Sequence, residues 1–223
     1  MANIFITGGA RGIGLELARA FAAAGDHVII GVRDPAAARD KISFAEAVKL
    51  DVAEARSIDA LAHHLQGRVI DVLINNAGIL GPEPQSSTDM DFDGFLQTLV
   101  VNTLGPLRVS QALLANLRAA AAPRLVVLTS KMGALSHTSA DHVAYRASKA
   151  AANKVTQCLA TDLEKEGIAV AAIHPGWVRS DMGGPHADIG VVESAAGVKK
   201  VIDGLTVETT GRFWNYDGSE LAW

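Results

Sequence analysis

Tyr145 and Lys149 stand four residues apart in the run Tyr145-Arg146-Ala147-Ser148-Lys149. On a helix that spacing puts a phenol and an ammonium on one face. A phenol ordinarily ionises near pH ~10, and a neighbouring cation stabilises its anion. Such a pair can give a proton to a carbonyl oxygen as the carbon receives hydride, and take it back in reverse. The spacing alone is common, so its meaning depends on what else reaches the same place. Ser130 lies in Leu128-Thr129-Ser130-Lys131-Met132-Gly133, directly after an apolar run that reads as a strand. Its hydroxyl therefore falls where α/β sites gather and can hold a substrate oxygen; a turn or helix-cap role explains it equally well. Asn75-Asn76-Ala77-Gly78 follows another strand, where its amides either fix the backbone beside a site or make a plain turn.

Thr7-Gly8-Gly9-Ala10-Arg11-Gly12-Ile13-Gly14 sits between the first apolar run and the first helical stretch. Glycines there let the backbone turn tightly against a pyrophosphate, whose charge suits a helix N-terminus. The spacing Gly8-x-x-x-Gly12-x-Gly14 differs from the G-x-G-x-x-G form. A dinucleotide fold that selects NAD places an acid at the end of its second strand. That end reads Ile30-Gly31-Val32-Arg33-Asp34, with Val32 at the acid position. Arg33, with Arg11 from the glycine turn, can clamp a 2′-phosphate, which favours NADP. If Asp34 faces the ribose instead, NAD is open. Asp51, in Leu50-Asp51-Val52, suits either an adenine amino group or a helix N-cap.

These residues need a scaffold that brings strand ends together. Apolar strand candidates are Ile4–Ile6, His27–Val32, Ala45–Leu50, Val69–Ile74, Arg124–Thr129, Ile168–His174 and Gly211–Asn215. Helical stretches fall between most of them: Gly12–Ala24, Glu54–Gln66, Phe92–Ala121 (two helices divided near Leu104–Gly105) and Ala144–Glu166. Alternating strands and helices require crossovers and a parallel sheet covered on both faces. Right-handed crossovers make it doubly wound. The expectation is an α/β, Rossmann-type single domain over residues 1–223, with small substrate loops near 81–91 and 179–190. Alanine-rich faces on 92–121 and 144–166 suit a four-helix homodimer interface or packing on the chain's own sheet, so a monomer is equally open.

The 223 residues, 49% apolar and 20% charged with a net charge of −4, fit one large domain. No basic block marks a nucleic-acid binder. The single cysteine, Cys158, rules out an internal disulfide or a multi-cysteine metal site, and no metal is expected; it reads as a small packed residue. The apolar run at the N-terminus is too short for a signal peptide or a span, so the expected location is cytoplasmic, without a membrane partner.

Taken in order, Thr7-Gly8-x-x-x-Gly12-Ile13-Gly14, Asn75-Asn76-Ala77-Gly78, Asn102, Ser130, Tyr145-x-x-x-Lys149 and Pro175-Gly176 resemble the classical short-chain dehydrogenase/reductase family over nearly the whole chain. Gly12–Glu16, Arg33–Pro35, Tyr145–Lys149, His174–Gly184 and Gly211–Gly218 are similar to its C-factor and Sniffer-type carbonyl reductase branch. The resemblance implies sheet order 3-2-1-4-5-6-7 and a tetrad. Ser130 would position a carbonyl, Tyr145 transfer the proton, Lys149 bind nicotinamide ribose and lower the phenol pKa, and Asn102 hold a water that relays protons. It implies adenine at Asp51-Val52, cofactor contacts at Asn76, Ala77 and Gly78, and nicotinamide contacts at Pro175, Gly176, Val178 and Ser180. Lys131-Met132 departs from the usual pattern. Met132, Leu135 and Trp177 can supply apolar walls, Met132 and Leu135 being equally suited to core packing, and His137, His142 and His186 can approach from loops. The implied activity is hydride transfer between NADP(H) and a small, partly apolar carbonyl or alcohol. The alternatives are a cofactor-binding signalling protein of C-factor type and an NAD-dependent alcohol dehydrogenase.

Overall fold

The computed structural model describes residues 1–223. Seven parallel strands form one sheet: β1 (Asn3–Thr7), β2 (His27–Val32), β3 (Glu46–Lys49), β4 (Val72–Asn75), β5 (Arg124–Leu128), β6 (Ala169–His174) and β7 (Phe213–Asn215). Their order is 3-2-1-4-5-6-7, as the resemblance implies, and a short antiparallel β8 (Glu220–Leu221) extends the β7 edge. Periodicity cannot flag two residues. The signal for β8 is the turn before it, where Gly218 (φ 89) and the Asn215 N–H to Ser219 carbonyl bond of 2.8 Å reverse the chain.

Side-chain alternation along each strand builds two cores, one per face. Ile4 and Ile6, Val28 and Ile30, Val72 and Ile74, and Val126 and Leu128 point to one side. There they meet Leu17 and Phe21 of α1 (Gly12–Ala23) and Val198 and Ile202 of α8 (Val191–Asp203). Phe5, Ile29, Leu73, Leu125, Val127 and Val170 point to the other. That face is covered by α3 (Ala55–His64), α5 (Gly105–Ala112), α6 (Leu114–Arg118) and α7 (Val143–Leu163), through Ile58, Leu61, Val109, Leu117, Ala160 and Leu163. Each such apolar side chain contributes roughly 1.5–3 kcal/mol when fully buried, and Phe5→Ala at the sheet centre would cost about 3–5 kcal/mol.

The expected break in 92–121 is real but has a specific form. Helix α4 (Phe92–Leu99) runs into a π-helical turn, Val100–Leu104, before α5, and a second break at Leu113 separates α5 from α6. The wider turn carries Asn102 to the sheet's carboxyl end. Cys158, expected to be packed, is exposed. Helix α7 turns Ala152, Thr156 and Ala160 inward, and residue 158, two places beyond Thr156, falls on the far side. No helix is long and apolar enough to cross a membrane.

Candidate active site

Helix α7 buries Tyr145, Ser148, Lys149, Ala152, Asn153 and Thr156 along one stripe, so Tyr145 and Lys149 share a face as their spacing requires. The Lys149 ammonium lies 5.7 Å from the centre of the Tyr145 ring. It donates to the Leu128 carbonyl at 2.9 Å, and this is its one protein hydrogen bond of the three it can make. Burial lowers its pKa to about 8. Ser130 follows β5 and caps the 3-10 turn Lys131–Gly133, its Oγ accepting the Met132 N–H at 3.1 Å. The cap role expected as the alternative is therefore present. The serine stands close enough to the Tyr145 phenol to favour its ionised form, although burial dominates and pushes the phenol up to about 12. The depression expected from the sequence rests on the lysine together with a bound, positively charged nicotinamide ring. In the free chain desolvation prevails, and at neutral pH Tyr145 keeps its proton.

This approach of strand end and helix needs a glycine. A Cβ on Gly133 would stand 2.6 Å from the Lys149 carbonyl carbon and 2.8 Å from the Ala150 nitrogen. Thr129 adds a tie, donating to Asn153 Oδ1 at 2.6 Å. Asn102 braces the opposite flank. Its Oδ1 accepts the Ile79 N–H at 2.9 Å, and its Nδ2 donates to the Ile79 carbonyl at 2.8 Å and to Ser148 Oγ at 2.9 Å. Both N–H bonds of the amide are thus engaged by protein, so the side chain couples the loop after β4 to α7. Gly78 keeps that loop tight, since a Cβ there would lie 3.2 Å from Asn102 Oδ1.

At the dinucleotide end, Gly8 (φ 72) and Gly12 (φ 54) take left-handed conformations, and nothing lies within 4 Å of a Cβ built on Gly12. Arg11 is the N-cap of α1 and makes no side-chain cap bond, which leaves first-turn N–H groups available to an anion. Asn76 does not face outward. Its Nδ2 donates to the Thr7 and Gly8 carbonyls at 2.9 and 3.1 Å, while Thr7 Oγ1 accepts the Asn76 and Ala77 N–H groups at 3.0 Å. Gly14 has no room for a side chain, because a Cβ would meet Asn76 Nδ2 and the Gly8 carbonyl at 2.5 Å. This open, uncapped cradle and the two unengaged protons of Lys149 fit a dinucleotide's phosphates and ribose hydroxyls.

The charged candidates separate. Asp34 caps the short helix α2 (Pro35–Ala38), accepting the Ala37 N–H at 3.1 Å, so its carboxylate is engaged while Arg33 is exposed. Arg11 pairs with Asp181 at 2.7 Å, both side chains exposed. Its guanidinium therefore bridges the glycine turn and the 179–190 loop rather than standing free. Asp51 is not an N-cap, since Glu54 precedes α3; its Oδ1 accepts the Ala53 N–H at 3.0 Å, and Val52 is buried under Gly105. After β6, Gly176 (φ 86) and Pro175 form a turn whose Pro175 carbonyl accepts from Ser194 Oγ at 2.6 Å. Val178 is buried, and the Ser180 hydroxyl sits between the Val178 carbonyl and the Gly183 N–H, at 3.2 Å from each. Met132 is half-buried, but Leu135 is 88% exposed and Trp177 48%; core packing does not apply to Leu135. His137 and His142 lie against Arg146 and Asp141, and His186 is exposed. Sequence reasoning missed His174, buried at the end of β6 with Nδ1 unpartnered and its pKa lowered to about 4, mainly by burial.

A model of the short chain dehydrogenase family matches residues 2–188. The chain belongs to this family. It is an NAD(P)-dependent oxidoreductase by that membership and by its carbonyl reductase neighbours, and it shares 45% identity over 155 residues with the C-signal of Myxococcus xanthus, covering 69% of this chain and 93% of that protein. Among solved structures, the carbonyl reductase Sniffer of D. melanogaster superposes with a TM-score of 0.93 at 31% identity, covering 100% of both chains. NADPH-bound carbonyl reductase from chicken fatty liver superposes with a TM-score of 0.91 at 30% identity, covering 100% of this family member and 99% of the other.

Proposed function

We propose that the chain reduces small, partly apolar carbonyl compounds with NADPH, or oxidises the corresponding alcohols, with Tyr145 as the acid/base. The observation that carries this reading is the placement of the buried Tyr145 phenol beside the Ser130 hydroxyl at the end of β5, with the Lys149 ammonium 5.7 Å from its ring. Bound NADP(H) would supply or accept the hydride. Ser130 and Tyr145 hold the substrate oxygen between two hydroxyls, and charge developing on that oxygen strengthens both bonds. Tyr145 passes its proton to the oxygen, and the nearby Lys149 ammonium stabilises the phenolate left behind. Lys149 also has two protons for the ribose, and Asn102 holds the loop that walls this space. The open cradle at Gly8, Gly12, Ile13 and Gly14 receives the pyrophosphate. Asp51 and Val52 border the adenine, Asn76, Ala77 and Gly78 shape the floor, and Pro175, Gly176, Val178 and Ser180 border the nicotinamide.

Arg33 supports NADP over NAD, because it stands exposed at the end of β2 while Asp34 is engaged as a cap. The NADPH carried by the chicken carbonyl reductase points the same way. Dissociation constants for NADPH and NADH, followed by a panel of aldehydes, ketones, quinones and secondary alcohols, test the assignment. NADH binding as tight as NADPH would overturn the role of Arg33, and no turnover across the panel would overturn the activity. Tyr145→Phe should keep cofactor binding and lose about 10²-fold or more in turnover; undiminished turnover would remove Tyr145 from the mechanism. The 45% identity to C-signal supports a second reading, in which the biological output comes from a partner. A turnover-dead Tyr145 variant that preserved the cellular phenotype would favour it.

A further inference from the structure

The first turn of α7 carries Tyr145, and that turn has no cap of its own. A helix leaves its first N–H groups without intrahelical acceptors, and Ser, Thr, Asp or Asn at the N-cap ordinarily takes one of them. Here the N-cap is His142, in a left-handed conformation (φ 51), and its side chain caps nothing. Its ring turns instead to Asp141 Oδ2 at 3.0 Å. The acceptors come from Gln85, whose carbonyl takes the Val143 N–H at 3.0 Å. Its side-chain Oε1 takes the Tyr145 N–H at 3.2 Å, across a separation of 60 residues. Gln85 is buried, and its Nε2 donates to the Leu80 carbonyl at 3.2 Å, which fixes the amide with its oxygen toward α7. Gly81 (φ 104) makes room for it, since a Cβ there would stand 3.2 Å from Oε1. On the other side, Ser148 Oγ donates to the Tyr145 carbonyl at 2.7 Å while accepting from Asn102 Nδ2. The Tyr145 N–H is thus capped from outside α7, and its carbonyl takes an added bond from Ser148 of the same helix.

We propose that Gln85 is a positioning residue for Tyr145: it supplies the missing helix cap from the loop after β4 and so sets where the phenol stands relative to Ser130. The inference rests on Tyr145 being the acid/base. A buried N–H that loses its acceptor either stays unsatisfied or draws its turn toward another acceptor, and displacement of a reacting group by about 1 Å can cost 10²-fold in rate.

The test uses the full chain with NADPH and 4-nitrobenzaldehyde. Gln85→Leu, which keeps size and removes both polar groups, should lower kcat about tenfold or more while KM and the NADPH dissociation constant stay within about twofold. Gln85→Glu keeps an acceptor for the Tyr145 N–H and, as the buried acid, an O–H for the Leu80 carbonyl, so it should bring kcat back to within about threefold of the parent. Amide hydrogen exchange at Tyr145 in the cofactor-free protein needs no substrate; it should quicken about tenfold or more in Gln85→Leu and stay near parental in Gln85→Glu. If Gln85→Leu fails to fold, Gln85→Asn, which falls one methylene short of the N–H, takes its place with the same expected losses. Parental exchange and kcat in the leucine or asparagine variant, or equal impairment of a folded Gln85→Glu, would overturn the proposal. A Tyr145→Phe variant that still turns over sinks the acid/base reading instead, so the two failures are distinguishable.

Discussion

Replacing Lys149 by Met should make the cofactor-free protein more stable at neutral pH while removing its activity. Burial takes the Lys149 ammonium from the ordinary lysine pKa of 10.5 down to about 8. A tenfold change in that constant is worth about 1.4 kcal/mol, so carrying the charge in the folded chain costs roughly 3 kcal/mol. Met fills a similar volume without the charge but leaves the Leu128 carbonyl, now bonded at 2.9 Å, without a donor, a loss of about 1 kcal/mol. The net gain is about 2 kcal/mol, or about 4–8 °C in Tm for a domain of this size. The pH dependence gives the mechanism away. Between pH 8 and 10.5 the unfolded chain keeps the Lys149 proton that the folded chain releases, so parental stability rises with pH across that window. Below it, the full cost of the charge applies. The advantage of Lys149→Met should therefore be largest near pH ~7 and give way to a small deficit by about pH 10.5, where only the lost Leu128 bond remains. Urea unfolding of both proteins at the two ends of that range measures it. A variant less stable than the parent at neutral pH, or an advantage that ignores pH, would refute the reasoning.

Three further outcomes follow from the geometry. Gly133→Ala places a methyl group 2.6 Å from the Lys149 carbonyl carbon, so it should cost about 1–3 kcal/mol and depress kcat by moving Ser130 from α7; a parental urea midpoint with parental turnover would show that the contact relaxes freely. Arg33→Ala should weaken NADPH binding about tenfold or more and leave NADH almost unchanged, as loss of a charge-assisted bond requires; calorimetry with both cofactors checks it, and equal losses would mean that Arg33 does not read the 2′-phosphate. For carbonyl reduction, kcat/KM reports groups of the free enzyme. With the phenol protonated to about pH 12 and Lys149 titrating near 8, the profile should be level through neutrality and fall above pH 8 as the ammonium is lost; a fall already complete near pH ~7 would contradict both assignments.

What could be read from the chain before its structure was what the chain writes locally. The glycine turn announces itself by lying between an apolar strand and an amphipathic helix, and Tyr145 and Lys149 by helical spacing. The sheet order came with the family resemblance, and the strands themselves from apolar runs separated by helices. The sequence marks Asn76 as an amide that could fix the backbone but not its partners, and does not mark Gln85 at all, because the partners lie 60–70 positions away. Gln85 also sits in a loop rich in Gly, Pro and Ser, where composition gives no sign of a buried side chain. The high pKa of Tyr145 in the cofactor-free chain had no sequence signal for a related reason. Charge can be counted along a sequence, whereas desolvation belongs to the packed interior, and here it outweighs the Ser130 hydrogen bond that favours the phenolate. The Arg11–Asp181 pair spans 170 positions and had no local signature at all.

The way Asn76 ties down the Thr7 and Gly8 carbonyls bears on the order in which the chain matures. Residues 1–33 contain the whole strand–turn–helix–strand unit that looks like a nucleotide site, yet its turn is held by an amide 69 residues downstream. While the chain is being synthesised, the N-terminal unit emerges first but lacks this clasp until β4 has been made and laid beside β1. If the glycine turn is the phosphate site proposed above, cofactor affinity should be a late acquisition, arriving only when half the sheet is in place.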